Sequence, residues 1–180
     1  SGYPDYPRLE FKEYDWMYSV YGDKDEYIPK DIPKALGKDV IFTSYVDANL
    51  YHDMISGKSV TGILHFINQT PFDYFSKKQD TFETATYGSE FVAARICTEQ
   101  NMDHRATLRY LGVPIRERTY MFGDNNSVVN SSMTPDAKLH KRHVMLSFHR
   151  VREAIASKIL YFFHIPGEHN PADILSKHWG

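Results

Sequence analysis

The sequence predicts an α/β domain: a five-stranded mixed sheet, three antiparallel strands and then two parallel ones, with helices packed on it. Three observations carry that expectation. Apolar runs at 40–47, 60–67 and 72–75 are separated by short polar connections, which favours an antiparallel meander. From about Thr84 to Leu111 the apolar spacing changes to three and four residues, with Val92, Ala93, Ile96 and Cys97 on one helical stripe. The rest of the chain then alternates helix and strand, the order in which strands return parallel through crossovers.

The organising strand is Val40 to Asp47, rich in β-branched and aromatic residues and apolar or small at alternate positions on both faces, as suits a central strand covered on both sides. Val60 to Ile67 is the second strand. Asn68-Gln69-Thr70-Pro71 is turn chemistry, and Phe72 to Phe75 follows with Pro71 at a strand start or an edge. Gly112-Val113-Pro114 ends the long helix. Arg118 to Asp124 reads as strand four, Asn125 to about Ser132 as a short helix, and Leu139 to Ser157 as a second long one. Ile159 to Ile165 is strand five, and Asn170 to about Lys177 closes with a short helix, Asn170 as its N-cap and Pro171 at its first position.

The 180 residues, 42% hydrophobic and 24% charged, suffice for one packed core. There is no long apolar run for a membrane span and no basic-then-apolar leader. The single Cys97 excludes an internal disulfide and suits a reducing compartment. A net charge of −2 argues against gripping nucleic acid by bulk electrostatics. Charge is uneven: residues 1–39 hold nine acids against six bases, with Pro4, Pro7, Pro29 and Pro33 and no sustained period, so they read as a linker or wrapping arm. Lys138 to Lys158 holds six bases against Glu153 alone, a local basic face.

Four acids sit at element ends. Asp47 ends strand one, Glu90 lies near the start of the long helix, Asp124 ends strand four and Asp173 lies in the first turn of the last helix. If strands one and four are parallel neighbours, their C-terminal ends bring Asp47 and Asp124 together, at the edge where open sheets of this kind form sites. Each acid alone has an ordinary explanation: Asp47 as a turn residue, Asp124 as a cap, Asp173 as an acid in a helix first turn and Glu90 as a surface helix residue. Four converging carboxylates repel unless a cation is shared, and carboxylate-only ligation suits Mg²⁺ or Mn²⁺ and not Zn²⁺.

The succession Tyr45-Val46-Asp47-Ala48, Ser76-Lys77-Lys78-Gln79, Gly88-Ser89-Glu90-Phe91-Val92-Ala93, Gly123-Asp124-Asn125 and Asn170-Pro171-Ala172-Asp173-Ile174-Leu175-Ser176-Lys177 resembles the ribonuclease H domain of copia-type LTR-retrotransposon Pol polyproteins. The resemblance covers residues 40–180, and residues 1–39 resemble the segment that joins this domain to the reverse transcriptase. One departure is Gly123, where cysteine is frequent in such sequences. The resemblance implies a ribonuclease H-like fold and hydrolysis of the RNA strand of RNA·DNA hybrids, in a cytoplasmic retroelement particle. It further implies two Mg²⁺ ions, with Mn²⁺ able to substitute. Asp47 would bridge both, Asp173 would complete the ion that activates water, and Glu90 with Asp124 would hold the ion on the leaving oxygen. Two cations about 4 Å apart clamp an in-line displacement at phosphorus. A flexible-loop histidine assists product release in this family. His169 is better placed for that part than His164, which falls in a strand.

The hybrid and the reverse transcriptase of the same polyprotein are the implied partners. Lys77, Lys78, Gln79 and Asn125, with Lys141, Arg142 and His143 of the basic face, are the candidate nucleic-acid contacts. Two other readings stand beside this one: an integrase- or transposase-like DNA nuclease of the same fold, and a catalytically silent domain that tethers the hybrid.

Overall fold

The computed structural model describes residues 15–22, 25–50, 58–80, 86–115, 117–134 and 142–177. Its sheet is built from β1 (Phe42–Asn49), β2 (Val60–Ile67), β3 (Thr70–Lys78), β4 (Thr119–Gly123) and β5 (Leu160–His164), in the spatial order β3-β2-β1-β4-β5. The first three are antiparallel, while β4 lies parallel to β1 and β5 parallel to β4. The expected mixed sheet is therefore present, with β1 at its centre. Strand three is longer than its apolar pattern predicts, because Ser76, Lys77 and Lys78 continue the ladder opposite Gly62, Thr61 and Val60. Polar side chains mask strand pairing on a β3 that is an exposed edge.

The helices are α1 (Asp15–Tyr21), α2 (Thr86–Tyr110), α3 (Asn126–Met133), α4 (Arg142–Ala156) and α5 (Asp173–Ser176), with a 3₁₀ turn at Gly167–His169. Gly112 stops α2 at φ +75°, and the Val113 amide donates back to the Leu108 carbonyl, closing the helix end. One core joins Val46, Ile63, Phe91, Cys97, Met121, Val144, Phe148, Val151, Ile155 and Leu160. Among the described residues, no helix is long and apolar enough to cross a membrane.

Strand β1 is not covered equally on its two faces. Phe42, Ser44, Val46 and Ala48 are buried, and Ser44 meets Asn101 of α2. On the other face Tyr45 is only half-buried, packed between Phe66 and Phe122. Among the described residues, that face is an aromatic surface closed by α5 at one end only. Apolar alternation on both faces reports aromatic packing here, not two helical layers.

Within residues 15–39 a helix forms that seven residues are too few to signal by periodicity. Met17 of α1 enters the core, Tyr21 bonds His149 Nδ1 at 2.6 Å, and Glu26 forms bidentate pairs with Arg105 and Arg109 of α2. The basic face of α4 is also less basic than its sequence. Arg152 is buried, and its guanidinium donates to the Ser131 and Thr134 carbonyls at the end of α3. Lys158 pairs with Asp25 and Arg150 with Glu153.

Candidate active site

The parallel pairing of β1 with β4 aligns Val46 with Gly123, so the residues that follow, Asp47 and Asp124, leave the same edge side by side. The start of the second turn of α2 passes over that edge and delivers Glu90. Ligand oxygens of Asp47, Glu90 and Asp124 lie within 4.8 Å of one another. Asp173 lines the same open cleft, of about 460 Å³, together with Asn49, Thr86, Asn125, Asn126 and Ser127. All four acids named from the sequence therefore meet in one place, three as a tight group and Asp173 beside them.

Local packing explains why α5 reaches this edge. Gly62, opposite Asp47 on β2, has no side chain because α5 lies against it. A Cβ there would stand 2.7 Å from the Ala172 carbonyl oxygen and from the Ser176 amide nitrogen. Asn170 ties the preceding turn to β1, its amide donating to the Val46 carbonyl while its Oδ1 accepts from Ala172 N–H. Asn170 is thus a staple and not the N-cap: α5 starts at Asp173, and Pro171 lies before it. Ser76 of β3 donates to the Leu175 carbonyl at 2.6 Å. Ser176, in turn, donates to Asp47 Oδ2. Gly62, Ser76 and Ser176 hold the site and were not singled out from sequence. Ser176 lies in the motif around Asp173, whereas Gly62 gave no signal beyond an interrupted strand.

The electrostatics match a cluster of like charges in which Asp47 and Glu90 are buried. Burial pushes the Asp47 carboxyl up to about 6, with Asp124 and Asp173 adding to the rise against the Ser176 hydrogen bond. Glu90 is raised well above the usual range by burial and by the Asp47 and Asp124 charges, although the Ala48 amide favours its charged form. Asp124 is raised too, chiefly by burial. Lys177 pairs with Asp173. Such a donor set, all oxygen and anionic, fits a hard divalent cation.

Asp124 is free for this role because its neighbour caps the helix: Asn125 Oδ1 accepts the Ser127 and Val128 amides at 3.1 and 3.3 Å. Asn125 also lines the cleft. Of the two histidines considered, His164 reaches the site, its Nε2 lying 3.1 Å from the Asp124 carbonyl. His169 sits in the 3₁₀ turn with its side chain 67% exposed, 3.7 Å from Glu168. Lys77 and Lys78 are exposed at the same end of the sheet, two strands or about 10 Å from β1. Gln79 is different: it is 4% exposed, and its amide donates to Thr61 Oγ1 and the Ser89 carbonyl. It ties β2 to the start of α2, so its amide is spent inside the protein and not on the nucleic-acid contact expected of it. Arg142 and His143 open α4, with side chains outside the description; Lys141 lies outside the described residues.

The fold built from this meander and the two parallel strands recurs in solved structures. Ribonuclease H1 from Halobacterium salinarum superposes with a TM-score of 0.57 at 15% identity, covering 77% of this chain and 95% of that one. The chain has the ribonuclease H fold. LC11 ribonuclease H1, solved with an RNA/DNA hybrid, gives a TM-score of 0.58 at 18% identity over 74% of this chain and 92% of that one. The foamy viral protease-reverse transcriptase, also solved with a hybrid, gives 0.51 at 15% identity over 84% of this chain and 21% of that one. In sequence, the chain is 27% identical over 141 residues to the retrovirus-related Pol polyprotein of transposon TNT 1-94 from Nicotiana tabacum. That match takes in 78% of this chain and about a tenth of the polyprotein's length. No family model matches. The motif resemblance to a ribonuclease H domain of a retrotransposon Pol polyprotein is thus upheld by both kinds of likeness.

Proposed function

We propose that this ribonuclease H-fold domain is a Mg²⁺-dependent endonuclease that cuts the RNA strand of RNA·DNA hybrids during reverse transcription, leaving 5′-phosphate and 3′-hydroxyl ends. The observation that carries the reading is the gathering of Asp47, Glu90 and Asp124 oxygens within 4.8 Å in a cleft that Asp173 also lines. Divalent cations bound there supply a polarised phosphate, a more acidic attacking water and a stabilised leaving oxygen. The chain's own residues do the rest. Asp47 is held on a central strand and oriented by Ser176, so its carboxylate does not swing when the scissile phosphate arrives. Glu90, buried against the Ala48 amide, closes the cleft on the α2 side. Asp124 is kept in place by the capped start of α3 on one side and His164 on the other.

Lys77 and Lys78 receive backbone phosphates about 10 Å away along the sheet edge. RNA is told from DNA through its 2′-hydroxyls in the minor groove. Residues 1–39 form the arm that connects the domain to a reverse transcriptase, inside a cytoplasmic retroelement particle.

The test is a labelled hybrid incubated with the chain and Mg²⁺. RNA-strand cleavage that EDTA stops, and that Asp124→Asn lowers by about 10³-fold, equivalent to about 4 kcal/mol of barrier, supports the reading. Cleavage of duplex DNA in its place would favour an integrase-like nuclease, and hybrid binding without cleavage a tethering domain. Either outcome refutes the proposal.

A further inference from the structure

A second cluster of ligand atoms lies well away from the carboxylates. His65 of β2 faces Asp73 of β3 in register, at the bulge between His65 and Phe66, and α2 lays Gln100 and His104, one turn apart, over the pair. Ligand atoms of His65, Asp73 and His104 lie within 4.8 Å of one another. Gln100 is ten residues from Glu90 on the same helix, about 15 Å along its axis.

Hydrogen bonding fixes the protonation of His65. Ser44 donates its one hydrogen to Asn101 Oδ1 at 2.6 Å, so at the 2.7 Å contact with His65 it accepts from Nδ1–H. With Ser44 donating to Asn101, that pattern puts the proton on Nδ1 and leaves Nε2 with a bare lone pair. That lone pair meets Gln100 Oε1, another acceptor, at 2.9 Å, inside a residue with no solvent exposure. His104 Nε2 is the second orphan. It is buried and lies 2.8 Å from Asp73 Oδ2, yet makes no hydrogen bond. Asp73 Oδ1 is already engaged by the Tyr74 amide. Phe42 and Phe72 wall the cluster, with ring centroids 5.1–6.1 Å from the two imidazoles. Two acceptor atoms aimed at each other and a buried imidazole nitrogen that makes no hydrogen bond are costly, and both costs vanish around a shared cation.

We propose that His65 Nε2, His104 Nε2, Asp73 Oδ2 and Gln100 Oε1 hold a divalent cation of the zinc class. The donor set is imidazole-rich with one carboxylate, which suits Zn²⁺, Co²⁺ or Ni²⁺ and contrasts with the all-oxygen cleft at the other end of the sheet. A tetrahedron with bonds of about 2.0–2.1 Å has edges of about 3.3 Å; His104 Nε2 and Asp73 Oδ2 stand 2.8 Å apart, His65 Nε2 and Gln100 Oε1 2.9 Å apart, and the ligand atoms of His65, Asp73 and His104 all lie within 4.8 Å of one another, so small shifts reach that geometry. The relay from Asn101 through Ser44 orients the His65 ring from behind, as outer hydrogen bonds do in metal sites. The cation pins the β2–β3 hairpin to the middle of α2. This inference stands apart from the nuclease reading and shares none of its residues.

Co²⁺ is the probe. The full 180-residue chain, stripped with EDTA and returned to buffer with excess Mg²⁺ to fill oxygen sites, is titrated with Co²⁺. The expected result is one equivalent with the visible absorption of four-coordinate Co²⁺, displaced by Zn²⁺ and retained in Asp124→Asn. His104→Gln and Asp73→Asn each weaken binding at least about tenfold, with hybrid cleavage unchanged. Asp73 is partly exposed, so Asp73→Asn remains informative if His104→Gln misfolds. Absence of a visible band would overturn the proposal and leave a rotated Gln100 amide donating to His65 as the closure of the network. So would a band that survives both substitutions, or one lost in Asp124→Asn.

Discussion

Gly62→Ala tests the packing that brings Asp173 to the other acids. The new Cβ would lie 2.7 Å from the Ala172 oxygen and the Ser176 nitrogen and 2.9 Å from the Leu175 carbonyl carbon. All three are backbone atoms, so no side chain can rotate away. Ordinary contact begins at 3.4 Å, so α5 must withdraw by about 0.7 Å, or β2 must bend. Withdrawal pulls Ser176 from Asp47 and carries Asp173 outward, and misplacements near 1 Å cost about 10²-fold in rate. Overpacking of this kind costs about 1–3 kcal/mol of stability. The assay is kcat/KM for hybrid cleavage with Mg²⁺, alongside urea unfolding. A fall of about 10²-fold in a protein that remains folded at the assay temperature is expected. Wild-type activity with unchanged stability would refute the claim that α5 is seated on the bare backbone of β2.

Three further outcomes follow from named contacts. Asp124→Asn raises the thermal midpoint of the metal-free protein, because it removes one of the like charges that, with burial, raise Asp47 and Glu90, and Mg²⁺ raises the wild-type midpoint for the same reason; calorimetry with and without EDTA reads both. Burial opposes charge on Glu26, yet the hydrogen bonds from Arg105 and Arg109 outweigh it and depress its pKa. Its stabilisation is therefore complete above the unfolded value of about 4.5 and drains as pH falls below that; Glu26→Gln costs about 3 kcal/mol at neutral pH and flattens the acid limb of the urea-midpoint profile. Gln79→Ala destabilises by about 1–3 kcal/mol through the lost donors to Thr61 and Ser89, with KM for the hybrid unchanged, whereas Lys77→Ala with Lys78→Ala raises KM and lessens its salt dependence at constant stability.

The acids were legible because element ends are marked locally: Asp124 directly follows a strand of aromatic residues and Asp173 sits in a turn-rich motif, while Asp47 lies two residues before the end of β1, which continues through Ala48 to Asn49. Parallel order followed from the alternation of helix and strand. What supports the acids was less legible, since it depends on contacts between distant segments. Gly62 is small because of α5, 110 residues later, and Ser176 points at Asp47 only after that helix is seated. Gln79 and Arg152 misled for the converse reason. A polar side chain in a polar stretch looks solvated until the fold buries it, and both spend their donors on backbone carbonyls. A strand position suggests packing for His164 and so favours His169 from sequence, yet the end of β5 puts the His164 ring beside Asp124. The seven-residue α1 left no periodic trace.

Diffraction from crystals soaked in Mn²⁺, collected at the metal's absorption edge, tests the central claim most directly. Anomalous density between the carboxylates of Asp47, Glu90 and Asp124, lost in Asp124→Asn crystals, is the predicted result. A cleft without density at Mn²⁺ concentrations that support hybrid cleavage would contradict it.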